Sequence, residues 1–93
     1  MKAVLKDWVI ADSDDVVEHG GYHYFPSAQV RTEWLAKANK TASDQACPHG
    51  VQFYDVVIDG KRHARAAWRY EAPRPSMRHV ADRFGFRHEV EVG

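Results

Sequence analysis

The sequence predicts a small, mainly β domain (α+β) of antiparallel sheets, and three observations carry that prediction. Asp59-Gly60 stands between two runs rich in Val, Ile, Phe, Tyr and Trp, and both central residues of a type I′ turn need positive φ, so the pair marks a β-hairpin over 51–70. Tyr22 to Phe25, and the series Phe84, Phe86, Val90, Val92, alternate at the period of two that strands require. One stretch alone, residues 27–38, has the spacing of an amphipathic helix.

Length and composition bound the rest. Ninety-three residues make one domain, taken as 1–93, and a chain of this size buries about 60–70% of the surface its unfolded form exposes. Three Trp, four Tyr and four Phe within a hydrophobic share of 44% suffice for a small core. No apolar run approaches the ~20 residues that span a bilayer. The Met1-Lys2 start leads into no long apolar segment, so the expected compartment is the cytoplasm, with no membrane partner. A single cysteine, Cys47, excludes an internal disulfide and a four-cysteine zinc site.

Taken in order, residues 3–11 read as a strand around a Lys6-Asp7 turn, ending at Asp12-Ser13-Asp14-Asp15. Val16-Val17 opens a second short strand, Glu18-His19-Gly20-Gly21 turns, and Tyr22 to Phe25 forms another strand stopped by Pro26. Ser27 caps the expected helix, which places Val30, Trp34, Leu35 and Ala38 on one face. Residues 39–45 have no periodicity and read as a polar loop, the expected peak of flexibility. Beyond the hairpin, Pro73-Arg74-Pro75 forces an extended turn. Residues 76–82 then make a short helical turn with Met77, Val80 and Ala81 inward, and the C-terminus reads as one or two strands.

Counting back from the two-residue loop sets the hairpin register. Ile58 faces Lys61, Val56 faces His63, Tyr54 faces Arg65 and Gln52 faces Ala67. The opposite face carries Val51, Phe53, Asp55 and Val57 against Arg62, Ala64, Ala66, Trp68 and Tyr70; it is the more apolar and is expected to lie on the core. The first face then gathers Tyr54, His63, Arg65 and Arg69 as ligand-binding candidates. A guanidinium beside an aromatic ring and an imidazole suits a small anionic ligand, since it can hold a phosphate or carboxylate while a planar group stacks. Weighed against this is a solvated face in which Tyr54 and Arg65 form a cross-strand pair worth about 0.2–1 kcal/mol.

Cys47 and His49 are the candidate catalytic pair. In an extended Cys-Pro-His segment an imidazolium beside the thiol favours the thiolate and makes a nucleophile. The plainer alternative is a buried cysteine serving as a small hydrophobe next to a turn proline. No Cys or His pair has an established zinc spacing and no glycine-rich phosphate cradle is present, so neither a metal nor a cofactor is assigned.

The formal net charge of zero hides an asymmetry. Residues 1–60 carry five Lys or Arg against nine Asp or Glu, and residues 61–93 carry eight against four. Seven of the later eight are Arg, which suits bidentate contact with carboxylates or phosphates, although charges balanced within one domain commonly pair with each other. A pI near 7.0 and an acidic first part argue against nucleic acid.

Several motifs taken as a set resemble a known family. They are Gly21-Tyr22-His23-Tyr24-Phe25-Pro26 ahead of a short helix, Cys47-Pro48 with Gly50 close behind, Phe53-Tyr54 before Asp59-Gly60, Ala67-Trp68-Arg69-Tyr70 ahead of Pro73, and Val80-Ala81 leading to Phe86. Over nearly the whole chain they resemble the domain of unknown function 427 family. The resemblance implies coiled β-sheets of the Mss4 type with one helix, a bacterial cytoplasmic setting and a nucleotidyltransferase label, with no catalytic residues to carry over. Two positions depart from the family pattern: His49 runs straight into Gly50 where relatives usually insert a Lys, and Arg87 stands where they tend to have Tyr.

Three functions follow as expectations. The first is a binding module for a small anionic ligand or an acidic segment of a partner. The second is an enzyme, of nucleotidyltransferase type or with Cys47 as nucleophile. The third is a self-associating domain, a homodimer formed through a bare hairpin edge.

Overall fold

A computed structural model describes every residue, Met1–Gly93. Nine strands run in the order β1 (Lys2–Leu5), β2 (Trp8–Asp12), β3 (Val17–His19), β4 (Tyr22–Pro26), β5 (Leu35–Lys37), β6 (Val51–Ile58), β7 (Lys61–Tyr70), β8 (Arg83–Phe86) and β9 (Glu91–Val92), with one α-helical turn, α1 (Ala42–Gln45). They form two antiparallel sheets, β2-β1-β9 and β3-β4-β8-β7-β6-β5. The mainly β prediction therefore holds. No helix is long and apolar enough to cross a membrane.

The hairpin forms with the turn its sequence demands, Asp59 and Gly60 having φ of 52° and 74°. Register follows the count from the turn for three pairs, Ile58 with Lys61, Val57 with Arg62 and Val56 with His63, and then shifts. Tyr54 pairs with Ala67 instead of Arg65, and Gln52 with Arg69 instead of Ala67. Three residues of β7, Ala64 to Ala66, stand opposite Asp55 alone, so β7 carries a bulge. Its centre, Arg65, is left-handed at φ 53°, and the Arg65 N–H donates to Oδ1 of Asp55 at 2.9 Å. A side chain thus replaces the missing ladder partner.

The central strands are covered on both faces, and the larger core takes the face opposite to the expected one. Tyr54, Val56 and Ile58 join Leu5, Ile10, Phe25, Phe84 and Phe86 in a cluster drawn from both sheets. Val51 and Trp68 instead belong to a smaller cluster with Tyr24 and Val80, against which Cys47, Phe53, Tyr70 and Met77 pack. The apolar residues of Val51-Phe53-Trp68-Tyr70 do find partners. The main core, however, is built where the three-stranded sheet supplies Ala3, Leu5 and Ile10.

Residues 27–38 correct the helix prediction. They form two 3-10 turns, Ser27–Gln29 and Thr32–Trp34, and then β5. Val30 bridges to Ala11, the Arg31 N–H donates to the Ile10 carbonyl, and Leu35 to Lys37 pair with Val56 to Tyr54. Backbone groups that a helix would bond internally are spent on neighbouring strands. The apolar spacing still reported burial, since Val30 is in the larger core and Trp34 and Leu35 pack against it. The α-helical turn lies instead in the expected loop, where Thr41 and Asp44 form a capping box. In the sheet, β5 pairs with Tyr54–Val56 on one side of the hairpin and β8 with Ala67–Trp68 on the other.

Gly85 of β8 pairs with Trp68 of β7. A Cβ at Gly85 would lie 2.6 Å from Trp68 Cζ2 and 2.8 Å from Cε2, so the indole rests on a position that only glycine leaves open. Gly85→Ala is expected to cost about 1–3 kcal/mol by overpacking. In a domain this small, each kcal/mol lowers the melting temperature by about 4–8 °C. Thermal denaturation checks it: an unchanged midpoint would mean the indole is not held against the strand.

Candidate functional site

The bulge decides which predicted site residues are free to act. Projecting from its left-handed position, Arg65 reaches Asp44 of α1 with both terminal nitrogens, each 2.9 Å from a carboxylate oxygen, and its guanidinium carbon stands 3.9 Å from the Phe53 ring centroid. Asp44 is 4% exposed and also accepts the Thr41 N–H, so one buried carboxylate caps the turn and holds the arginine. The charge-assisted bonds from Arg65 keep the Asp44 carboxyl well below the usual carboxylate range and, reciprocally, raise Arg65. Asp55 is lowered first by the Arg65 N–H and then by Arg62, which donates to it at 2.6 Å. Both terminal nitrogens of Arg65 are therefore engaged by Asp44.

The remaining predicted residues are not brought together. Tyr54 is buried, its ring edge-on to Phe84 at 5.3 Å. His63 lies near the turn end of the hairpin, 3.5 Å from Glu89. Arg69 lies toward the other end, 3.6 Å from Asp82, its guanidinium 5.3 Å from the Phe84 centroid, beside a cavity of about 350 Å³ that Glu71 and Asp82 also line. Cys47 packs into the smaller apolar cluster. His49 accepts the Arg74 N–H on Nδ1 at 3.0 Å and sets its ring edge-on to Tyr70 at 5.9 Å, so its assigned contacts are with Arg74 and Tyr70.

A different constellation does converge. The Phe53, Trp68 and Tyr70 side chains share one face of the hairpin and, with Val51, line a groove of about 180 Å³ whose remaining walls are Tyr22 and Arg87. Trp68 is 5% exposed and forms the floor, whereas Tyr22, 45% exposed, stands edge-on to it at 4.8 Å. Arg87 donates its Nε to the Arg65 carbonyl at 2.8 Å and places its guanidinium carbon 4.5 Å from the Phe53 centroid. That one bond fixes the side chain and leaves both terminal nitrogens of Arg87 without a protein acceptor. Trp68 and Tyr70, expected in the core, line this groove, and Tyr22 and Arg87 are not among the expected site residues. Gly85, a glycine between two strand phenylalanines, was the signal that something packs closely there.

Fold and groove together define a small two-sheet antiparallel β domain with an aromatic surface groove edged by arginine. The chain belongs to the domain of unknown function (DUF427) family, whose model matches residues 1–92 and whose family name carries the label NTP_transf_9. A search of curated proteins gives no match.

Two buried carboxylates and one exposed one set the pH response. Asp44, Asp55 and Glu71, the last held by Lys40, all have pKa values lowered by folding. The unfolded chain therefore binds more protons as pH drops below about 4, and the stability these groups contribute is whole above that value and lost as pH falls through the folded values. Asp44→Asn should cost about 3 kcal/mol at neutral pH, the low end for breaking a buried pair, because Arg65 keeps 28% exposure. It should also flatten the acid limb of stability. Urea denaturation between neutral pH and about pH 3 checks both, and an acid limb as steep as the parent's would remove Asp44 as a source.

Proposed function

We propose that the chain is a binding module for a small anionic ligand with a planar ring, held in the Trp68 groove. The ring packs against the aromatic walls. The negative group takes the two free nitrogens of Arg87, whose planar fork matches a carboxylate or phosphate. One observation carries this reading: Arg87 is fixed by its Nε bond and its stacking on Phe53, with its remaining donors unused at the edge of an aromatic groove. Preorganised donors of this kind bind without the entropic cost of ordering a free side chain.

The label NTP_transf_9 in the family name makes nucleotides the first ligand class to try. Binding is favoured over nucleotidyl transfer because the buried carboxylates are already paired, Asp44 with Arg65 and Asp55 with Arg62. The same proposal takes the coiled sheets to be of the Mss4 type and the chain to act in a bacterial cytoplasm, where a free Cys47 persists.

The test is a thermal-shift panel of nucleotides, sugar phosphates and small carboxylic acids. At 100 times its dissociation constant a ligand adds about 2.7 kcal/mol, which should raise the midpoint by more than ~10 °C. Arg87→Ala should abolish the shift, and Arg69→Ala and Cys47→Ser should keep it. A shift that survives Arg87→Ala, or no shift across the panel, would overturn the reading. Turnover that depends on Cys47 would replace it with the enzyme.

A further inference from the structure

His19 ends β3, the outer strand of the six-stranded sheet, and His79 lies in the 3-10 helix Pro75–Val80. Sixty residues apart in sequence, their rings meet at the surface with Nδ1 of His19 2.9 Å from Nε2 of His79, centroids 4.8 Å apart and planes inclined by 60°. As a plain hydrogen bond, one ring would donate and the other accept. The separation is also that of two ligands on one ion. With metal–nitrogen bonds of about 2.0–2.1 Å, a right angle at the metal puts the nitrogens about 2.9 Å apart, and a tetrahedral angle about 3.3 Å.

We propose that His19 and His79 form a two-imidazole site for a late first-row divalent metal, with solvent completing the shell. Imidazole is the ligand type these ions favour, and a near-right-angle pair suits Ni²⁺ or Cu²⁺. The fold supplies both ligands from elements already fixed. Val80, next to His79, is fully buried in the smaller core, and Val17, two residues before His19 on the same strand face, packs against that core. Neither ring therefore depends on a mobile tail for its position. A metal held here would tie the outer strand β3 to the 3-10 helix. It would do so beside the aromatic groove, because His19 is the cross-strand partner of Tyr22, which forms one wall. The site does not rest on the ligand proposed for the groove.

Untagged protein titrated with Ni²⁺ tests the site by the shift in melting temperature. A saturable rise is expected in the parent and in His23→Gln, whose imidazole is 3.3 Å from Glu18, and it should be lost in both His19→Gln and His79→Gln. A measurement that needs no variant runs beside it: substoichiometric Ni²⁺ should broaden the ring proton signals of His19 and His79 before those of His49, His63 and His88. No saturable rise in the parent, a rise that survives either substitution, or broadening that begins at other histidines would overturn the site.

Discussion

The hairpin depends on the carboxylate of Asp55. A strand interior is an unfavourable place for aspartate, and this one is held there because its two oxygens are both used, Oδ1 by the Arg65 N–H and Oδ2 by Arg62. With Oδ1 as acceptor, β7 can loop out two extra residues without orphaning a buried backbone donor. Since two is even, every residue after the bulge stays on its original face, and only its partner changes. Trp68 comes to stand opposite Phe53 and Tyr70 opposite Val51, whereas unbroken register would have set Trp68 opposite Val51. Both walls of the groove are consequences of that step. So is the outward projection of Arg65 toward Asp44, which ties α1 and the segment leading to Cys47 onto the hairpin.

What the sequence displayed was local. The type I′ turn, the strand alternation at Tyr22 to Phe25 and the 3-10 helix before β8 are all written within a few adjacent residues, and all are present. The bulge was not readable by counting, because the first three pairs obey the count; its trace was a lone Asp55 in an otherwise apolar and aromatic run. Residues 27–38 show the opposite failure. Their apolar spacing records burial truthfully, but Leu35 and Ala36 are half-buried as part of β5, bonded to a strand about 20 residues further along the chain, with Lys37 exposed. Spacing states that a side chain is covered, not which backbone covers it. The Thr41–Asp44 capping box was legible in residue types and was masked by the polar composition around it.

The residues expected to form one ligand face are spread apart for a related reason. Charge and aromaticity on one face of the count group Tyr54, His63, Arg65 and Arg69, but each has contacts within the fold: Tyr54 in the core, half-buried Arg65 on the buried carboxylate of Asp44, Arg69 beside Asp82 and His63 beside Glu89. The acidic first part of the chain and the arginine-rich second part meet in the pairs Arg65–Asp44, Arg62–Asp55 and Arg83–Asp15, so part of the charge asymmetry is internal complementarity. Arg87 differs because its carboxylate-sized fork is not filled. The nearest acceptor, the Arg65 carbonyl, takes Nε alone.

The smaller core joins these features physically. Trp68 can lie flat because Gly85 has no side chain, and its indole is then flanked edge-on by Tyr22 at 4.8 Å and Tyr24 at 5.9 Å, both from β4. Burial drives the Tyr24 hydroxyl to a higher pKa. Tyr22 is then the one exposed aromatic wall, and it belongs to a strand pair, β3–β4, whose outer member is bonded to a strand on one side only. On the free side of β3 the sheet offers no further hydrogen bonds, and the contact between His19 and His79 is the polar tie that fastens that end to the 3-10 helix. That tie ends one cross-strand pair from the groove, because His19 stands opposite Tyr22, the groove's exposed aromatic wall.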